Sequence, residues 1–138
     1  MSKSQLIYVV DDEPAIRDIL ESVLSDEGYP IVTCQNSEVF YDQLEKQTPD
    51  LVLLDIWLPG TDGMAILSTL RESHPDLPVI MMSGHAGIDA AVNAIKKGAV
   101  DFMEKPLQLE ILLDKIAIVL SNKPPEKKKD LASDTQME

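Results

Sequence analysis

Along the chain, short apolar runs alternate with stretches in which apolar residues recur at helical spacing. The runs are LIYVV at 6–10, IVTC at 31–34, LVLL at 51–54, VIMM at 79–82 and VDFM at 100–103. Each has strand length, and the unbroken apolarity of LVLL and VIMM predicts strands covered on both faces. Between them, Ile16, Ile19, Leu20, Val23 and Leu24 fall on one face of a helix that Pro14 opens and Gly28 closes. Ile66, Leu67 and Leu70 form a similar face after Asp62-Gly63, and Ile88, Ala91, Val92 and Ile95 form another ahead of Gly98, a C-cap position. Leu109, Leu112, Leu113, Ile116, Ala117 and Leu120 give the last helix a long stripe. The weakest pattern, residues 37–47, rests on Val39, Phe40 and Leu44.

Strict alternation of strand and helix implies parallel strands joined by crossover helices lying on both faces. Five such units predict an α/β, flavodoxin-like (βα)5 three-layer sandwich with sheet order 2-1-3-4-5. Its ligand site is expected at the carboxyl ends of the strands, near the switch point between strands 1 and 3. Residues 1–121 make this one domain. Residues 122–138, with a Pro pair, a Lys run and almost no large apolar side chain, read as a flexible C-terminal tail or linker.

Composition narrows the partners. The formal charge is −12, and the tail contributes none of it, because its Lys (4) balance its Asp plus Glu (4). So acidic a domain repels nucleic-acid backbones and anionic membranes, and its natural partners are cations or basic proteins. Cys34 is the sole cysteine, which excludes an internal disulfide, and with His74 and His85 it makes no zinc site. The first apolar run is too short for a signal peptide or a membrane span. A soluble cytoplasmic protein is expected.

The topology gathers polar residues at one sheet edge. Strand 1 ends in Asp11-Asp12-Glu13, strand 3 in Asp55, strand 4 in Ser83-Gly84, and strand 5 in Lys105-Pro106. Taken alone, Asp12 or Glu13 reads as a helix N-cap, and Asp55 as another cap. Together, three carboxylates within ~5 Å repel by about 3 kcal/mol per pair at an effective dielectric near 20, which calls for a cation or a raised pKa. Hard oxygen ligands suit Mg²⁺. A carboxylate at the tip of a covered strand, beside a metal, is a candidate nucleophile toward phosphorus. Lys105 supplies a balancing ammonium, Pro106 is a candidate for a cis peptide bond, and Ser83 offers a hydroxyl to a phosphoryl oxygen. Phe102 reads by itself as a core anchor. His85 is expected in solvent at the site's edge, and Trp57 over its mouth.

VVDDEP, LVLLDIWLPGTDG, VIMMSGHA and KKGAVDFMEKP, in that order over about residues 5–121, resemble the receiver domain of two-component response regulators (CheY-like). SDEGY, HPDLPVIMMSGHA and AVNAIKKGAVDFMEKP are most similar to the nitrogen-regulatory NtrC and NtrX group. The resemblance implies that Asp55 is the phospho-accepting aspartate. It implies Mg²⁺, with Mn²⁺ or Ca²⁺ as substitutes, held by Asp12, Asp55, the backbone carbonyl of Trp57 and, through water, Asp11. Ser83 matches the switch hydroxyl, Lys105 the site lysine and Phe102 the switch aromatic. That last position is often Tyr in the family, and Phe102 cannot make the hydroxyl's hydrogen bond. The implied partners are a sensor histidine kinase and, on phosphorylation, a second copy docking through helix 4, strand 5 and helix 5. These 138 residues read either as a receiver from a longer regulator, whose implied output is transcription regulation through ATPase and DNA-binding modules that they do not hold, or as a stand-alone receiver. The domain is expected to catalyse only its own phosphorylation and dephosphorylation. Two other readings stand beside this one: a Mg²⁺-dependent phosphatase turning over on Asp55, and a receiver that binds partners without being phosphorylated. The first commonly has an aspartate two residues after the nucleophile, where this chain has Trp57.

Overall fold

The computed structural model describes residues 5–84 and 87–122. Strands and helices alternate as β1 (Ile7–Val10), α1 (Pro14–Asp26), β2 (Ile31–Cys34), α2 (Ser37–Lys46), β3 (Leu51–Asp55), α3 (Gly63–Ser73), β4 (Val79–Ser83), α4 (Ile88–Lys96), β5 (Asp101–Glu104) and α5 (Leu109–Asn122). The strands form one parallel sheet in the order β2-β1-β3-β4-β5. This is the flavodoxin-like sheet that the alternation predicts. Between β3 and α3, Trp57–Leu58 pairs antiparallel with Thr61–Asp62 around a Pro59-Gly60 turn.

Side chains alternate across the sheet and feed two cores. Tyr8, Val10, Val52, Leu54, Val79 and Met81 pack with Phe40 of α2, Ile66, Leu67 and Leu70 of α3 and Ala94 of α4. Ile7, Val9, Leu51, Leu53, Ile80 and Met82 pack on the opposite face, with Leu20 and Leu24 of α1 and Leu112, Ile116 and Leu120 of α5. The central strands are covered on both sides, which explains their unbroken apolarity. Burial of each large side chain contributes about 1.5–3 kcal/mol, and the sheet is the shared wall of both cores.

Three expectations need correction. The last strand is Asp101–Glu104 instead of 100–103. Val100 donates its N–H to Val79 O but lies ahead of the strand and is exposed. Ile19 and Ala117 lie outside the buried stripes of their helices, because the core contacts of α1 and α5 centre on Leu20/Leu24 and on Leu112/Ile116/Leu120. The largest departure is α4, whose predicted apolar face points outward. Ile88 is 82%, Val92 47% and Ile95 49% exposed, while Ala94 is fully buried and Ala90 packs against the core. Positions 90 and 94 lie about 200° around the helix from 88 and 92. The alanines let the helix lie close to the sheet, and the larger side chains are left on the far side.

At the opposite end of α4, Arg71 of α3 ties three segments together. Its guanidinium donates to Gly98 O, His74 O and Leu77 O. Burial lowers the pKa of Arg71, and the charge of Asp76 opposes that shift. Gly98 adopts φ +109, and a methyl group there would lie 2.5 Å from Arg71 Cδ. Glycine therefore both permits the turn and leaves room for the pinned arginine. Among the described residues no helix is long and apolar enough to cross a membrane. His85 and residues 123–138, to which most of the expected tail belongs, lie outside the described residues.

Candidate functional site

The carboxyl ends of β1, β3 and β4, with the segment after β5, frame a cleft of about 540 Å³ lined by Asp12, Glu13, Ile16, Asp55, Trp57, Gly84, Lys105 and Pro106. Asp11 follows β1 and is fully buried, Asp12 is exposed at the mouth, and Asp55 closes β3 at 4% exposure. One carboxylate oxygen from each of these three lies within 4.8 Å of the others. Asp11 is fixed from several directions: its N–H donates to Cys34 O, its carbonyl accepts from Arg17 Nη1 at 2.9 Å, and its Oδ1 accepts from Glu13 N at 2.9 Å.

Lys105 is the cation facing this cluster. Its ammonium is 2.8 Å from Asp11 Oδ2, 2.8 Å from Glu13 Oε1 and 3.4 Å from Asp55 Oδ2. The peptide bond joining Lys105 to Pro106 is cis. The contact with Asp11 is an ion pair too bent to be a hydrogen bond, so buried Asp11 Oδ2 receives no aligned donor. Burial, the Asp11 carboxylate and the Lys105 ammonium also shape the acidity of Asp55. Its pKa is pushed up to about 6, first by burial and then by the charge of Asp11, against the pull of Lys105 and the Trp57 N–H. Burial works to lower the pKa of Lys105, but Asp11, Glu13 and Asp55 outweigh it and hold the group protonated.

These residues fit a hard divalent cation. Oxygens within 4.8 Å of one another repel by about 3 kcal/mol or more per ionised pair at an effective dielectric near 20. A buried carboxylate oxygen without an aligned donor, beside two others, is the donor set that Mg²⁺, Mn²⁺ or Ca²⁺ prefers.

The remaining expected residues are spread around this centre. Ser83 is fully buried at the end of β4, one residue past Met82, the neighbour of Asp55 in the sheet, and its carbonyl accepts from Lys105 N at 2.9 Å. Trp57 is 58% exposed and lines the cleft. Phe102 stands apart, half-buried against the α2–α3–α4 core and bordering the groove between α4 and β5. Three residues important to the geometry were given no role in the site by the sequence. Glu13 occupies the N-cap position of α1, yet its side chain makes no cap hydrogen bond and reaches Lys105 instead. Arg17 holds the Asp11 carbonyl. Gly63 opens α3 so close to β3 that a methyl group on it would overlap the Asp55 carbonyl and lie 2.8 Å from Ile56 Cα. A glycine directly after an N-cap aspartate was the available signal for that last contact.

The comparisons with known proteins agree with this geometry. Over 109 residues the chain is 42% identical to the nitrogen assimilation regulatory protein NtrX of Azorhizobium caulinodans, covering 78% of this chain and 24% of that protein. It therefore spans about a quarter of that relative's length. The crystal structure of the receiver domain of NtrX from Brucella abortus matches with a TM-score of 0.80 at 43% identity, over 84% of this chain and 98% of that one. The solution structure of the beryllofluoride-activated NtrC4 receiver domain dimer matches with a TM-score of 0.81 at 35% identity, over 86% and 98%. Residues 7–117, which contain the whole parallel sheet and every acidic group of the cleft, match the response regulator receiver domain model, and the chain belongs to that family.

Proposed function

We propose that this receiver accepts a phosphoryl group on Asp55 from a phosphohistidine of a sensor histidine kinase. The observation that supports this most is the convergence of Asp11, Asp12 and Asp55 oxygens within 4.8 Å, with the Lys105 ammonium beside them. In the transfer, the bond from phosphorus to the imidazole nitrogen breaks, leaving its electron pair on the ring, as the bond to an Asp55 oxygen forms. Asp55 sits at the tip of a rigid, fully buried strand, so its carboxylate is presented without the loss of freedom that a loop residue would suffer. In this reading Lys105 would meet charge on a phosphoryl oxygen, and Ser83 would donate its hydroxyl to another. The proposed holders of Mg²⁺ are Asp12, Asp55, the Trp57 carbonyl and, through a water, Asp11. When bound, the ion neutralises charge on the phosphoryl oxygens.

The output follows as the second part of the proposal. Phosphorylated Asp55 biases an equilibrium of the α4–β5–α5 face through Ser83 and Phe102. That face carries the exposed Ile88, Val92, Ile95 and Val100, and it would pair with a second copy, as the NtrC4 receiver is a dimer when beryllofluoride-activated. A whole regulator of the NtrC/NtrX kind would pass this change to ATPase and DNA-binding modules outside these residues. The position two residues after Asp55 is Trp57, which cannot serve as a general acid, and this favours a switch over a phosphatase.

Incubated with acetyl phosphate and Mg²⁺, the protein is expected to gain the mass of one phosphoryl group, and none in the presence of a chelator. Beryllofluoride is expected to raise the solution mass toward that of two copies. A wild type that takes no phosphoryl group removes the functional reading, and a solution mass unmoved by beryllofluoride removes the dimer.

A further inference from the structure

Glu13 is the acidic group of the cleft that the proposed chemistry does not use. It occupies the N-cap position of α1, but its carboxylate makes no cap hydrogen bond. It donates its own N–H to Asp11 Oδ1 and accepts from Lys105 Nζ at 2.8 Å, across a sequence separation of 92 residues. The same ammonium is 3.4 Å from Asp55 Oδ2, so Lys105 stands nearer to Glu13 than to the proposed acceptor. The Lys105 side chain is 11% exposed and that of Glu13 58% exposed, so the pair runs outward from the cleft wall. An ammonium has three protons to share. Asp11, Glu13 and Asp55 already claim its surroundings, and a phosphoryl oxygen on Asp55 would have to compete with them.

We propose that Glu13 is a positioning residue that holds Lys105 in a resting contact at the mouth of the cleft and thereby opposes the phosphorylated state. The inference rests on the phospho-acceptor reading of Asp55. The pair that Glu13 makes is available before phosphorylation and is weakened when Lys105 turns to the phosphoryl group, so it stabilises the resting form selectively. Because the carboxylate is well exposed, the effect is modest, on the order of three- to tenfold in the phosphorylation equilibrium.

The test compares wild type with Glu13→Gln, which removes the charge, and Glu13→Asp, which keeps the charge but is one methylene too short to make the same contact. Intact mass gives the phosphorylated fraction at subsaturating acetyl phosphate with Mg²⁺, and its decay after donor removal. Both variants are expected to shift the ratio of phosphorylated to unmodified protein upward by roughly three- to tenfold. In the metal-free protein, both are also expected to move the Lys105 side-chain resonances. An increase in Glu13→Gln alone would show that Glu13 acts as a general negative charge repelling the donor, and would overturn the proposal. Equal phosphorylation of all three proteins overturns it while leaving the receiver reading intact. A wild type that takes no phosphoryl group overturns both. Thermal denaturation checks the fold, which an exposed side chain without a cap bond is not expected to disturb.

Discussion

Asp55→Asn should fail to take a phosphoryl group and yet be more stable than wild type in metal-free buffer. The loss follows from replacing the carboxylate nucleophile by an amide, and labelling should fall by more than ~100-fold. The gain follows from electrostatics. Burial and the charge of Asp11 raise the Asp55 pKa to about 6, from an ordinary aspartate value of 3.8. A raised folded pKa means that the native state holds the proton more tightly than the unfolded chain. Its contribution to stability is fully present below pH 3.8 and is lost as pH rises through about 6. Above that pH, keeping Asp55 ionised costs up to about 3 kcal/mol, with the pull of Lys105 already counted in the shift. Asparagine removes this cost. Urea denaturation in chelator should show Asp55→Asn ahead of wild type at pH 7.5, and the difference should shrink steadily toward pH 4. Added Mg²⁺ should stabilise wild type more than the variant. A variant less stable than wild type at pH 7.5 would contradict the account of a crowded acidic cleft.

Gly63→Val carries the second large effect. The atoms that a Cβ at this position would meet are all backbone: the Asp55 carbonyl, Ile56 Cα at 2.8 Å and the Asp55 carbonyl carbon at 3.0 Å. None of them can rotate away, so either the start of α3 or the end of β3 must move. The hydrogen bond from Gly63 N to Ile56 O, 2.7 Å long, holds those segments together and would stretch or break. Overpacking of this kind costs about 1–3 kcal/mol, and more where only backbone can yield. Because the moving segment carries Asp55, phosphorylation should slow by ~100-fold even under conditions where the variant is folded. Gly63→Ala should show the same pattern in milder form. Urea denaturation measures the first effect and the rate of mass gain from acetyl phosphate the second. Normal phosphorylation kinetics in a folded Gly63→Val protein would show that the close approach does not position the acceptor.

The sheet was legible in the sequence because its strands are buried on both faces. LVLL and VIMM have no polar interruption, and the polar residues that follow them had to lie at the sheet edge. That is why Asp11, Asp12, Asp55 and Lys105 could be named as neighbours from the chain alone. The orientation of α4 was not legible. Periodicity identifies a helix face but not the side it presents, and on α4 two alanines outweigh an isoleucine–valine stripe because small residues allow a closer approach to the sheet. The partner of Glu13 was equally hidden. A carboxylate ahead of a proline-initiated helix looks like a cap, and nothing local reveals a lysine that is distant along the chain. Gly63 was read only as the start of a helix, since the carbonyl it must clear belongs to another element.

The outward stripe of α4 has a consequence for where the driving force of signalling comes from. Ile88 keeps most of its surface in water and Val92 and Ile95 about half of theirs, so covering the stripe is worth most of the about 1.5–3 kcal/mol of a full burial for Ile88 and about half of it for each of the other two. Burial on that scale is comparable with the roughly 5.5 kcal/mol needed to carry a two-state population from one extreme to the other. Under the proposed phosphorylation of Asp55, that event would have only to make the stripe acceptable to a partner. Water leaving those three side chains would do most of the work of association.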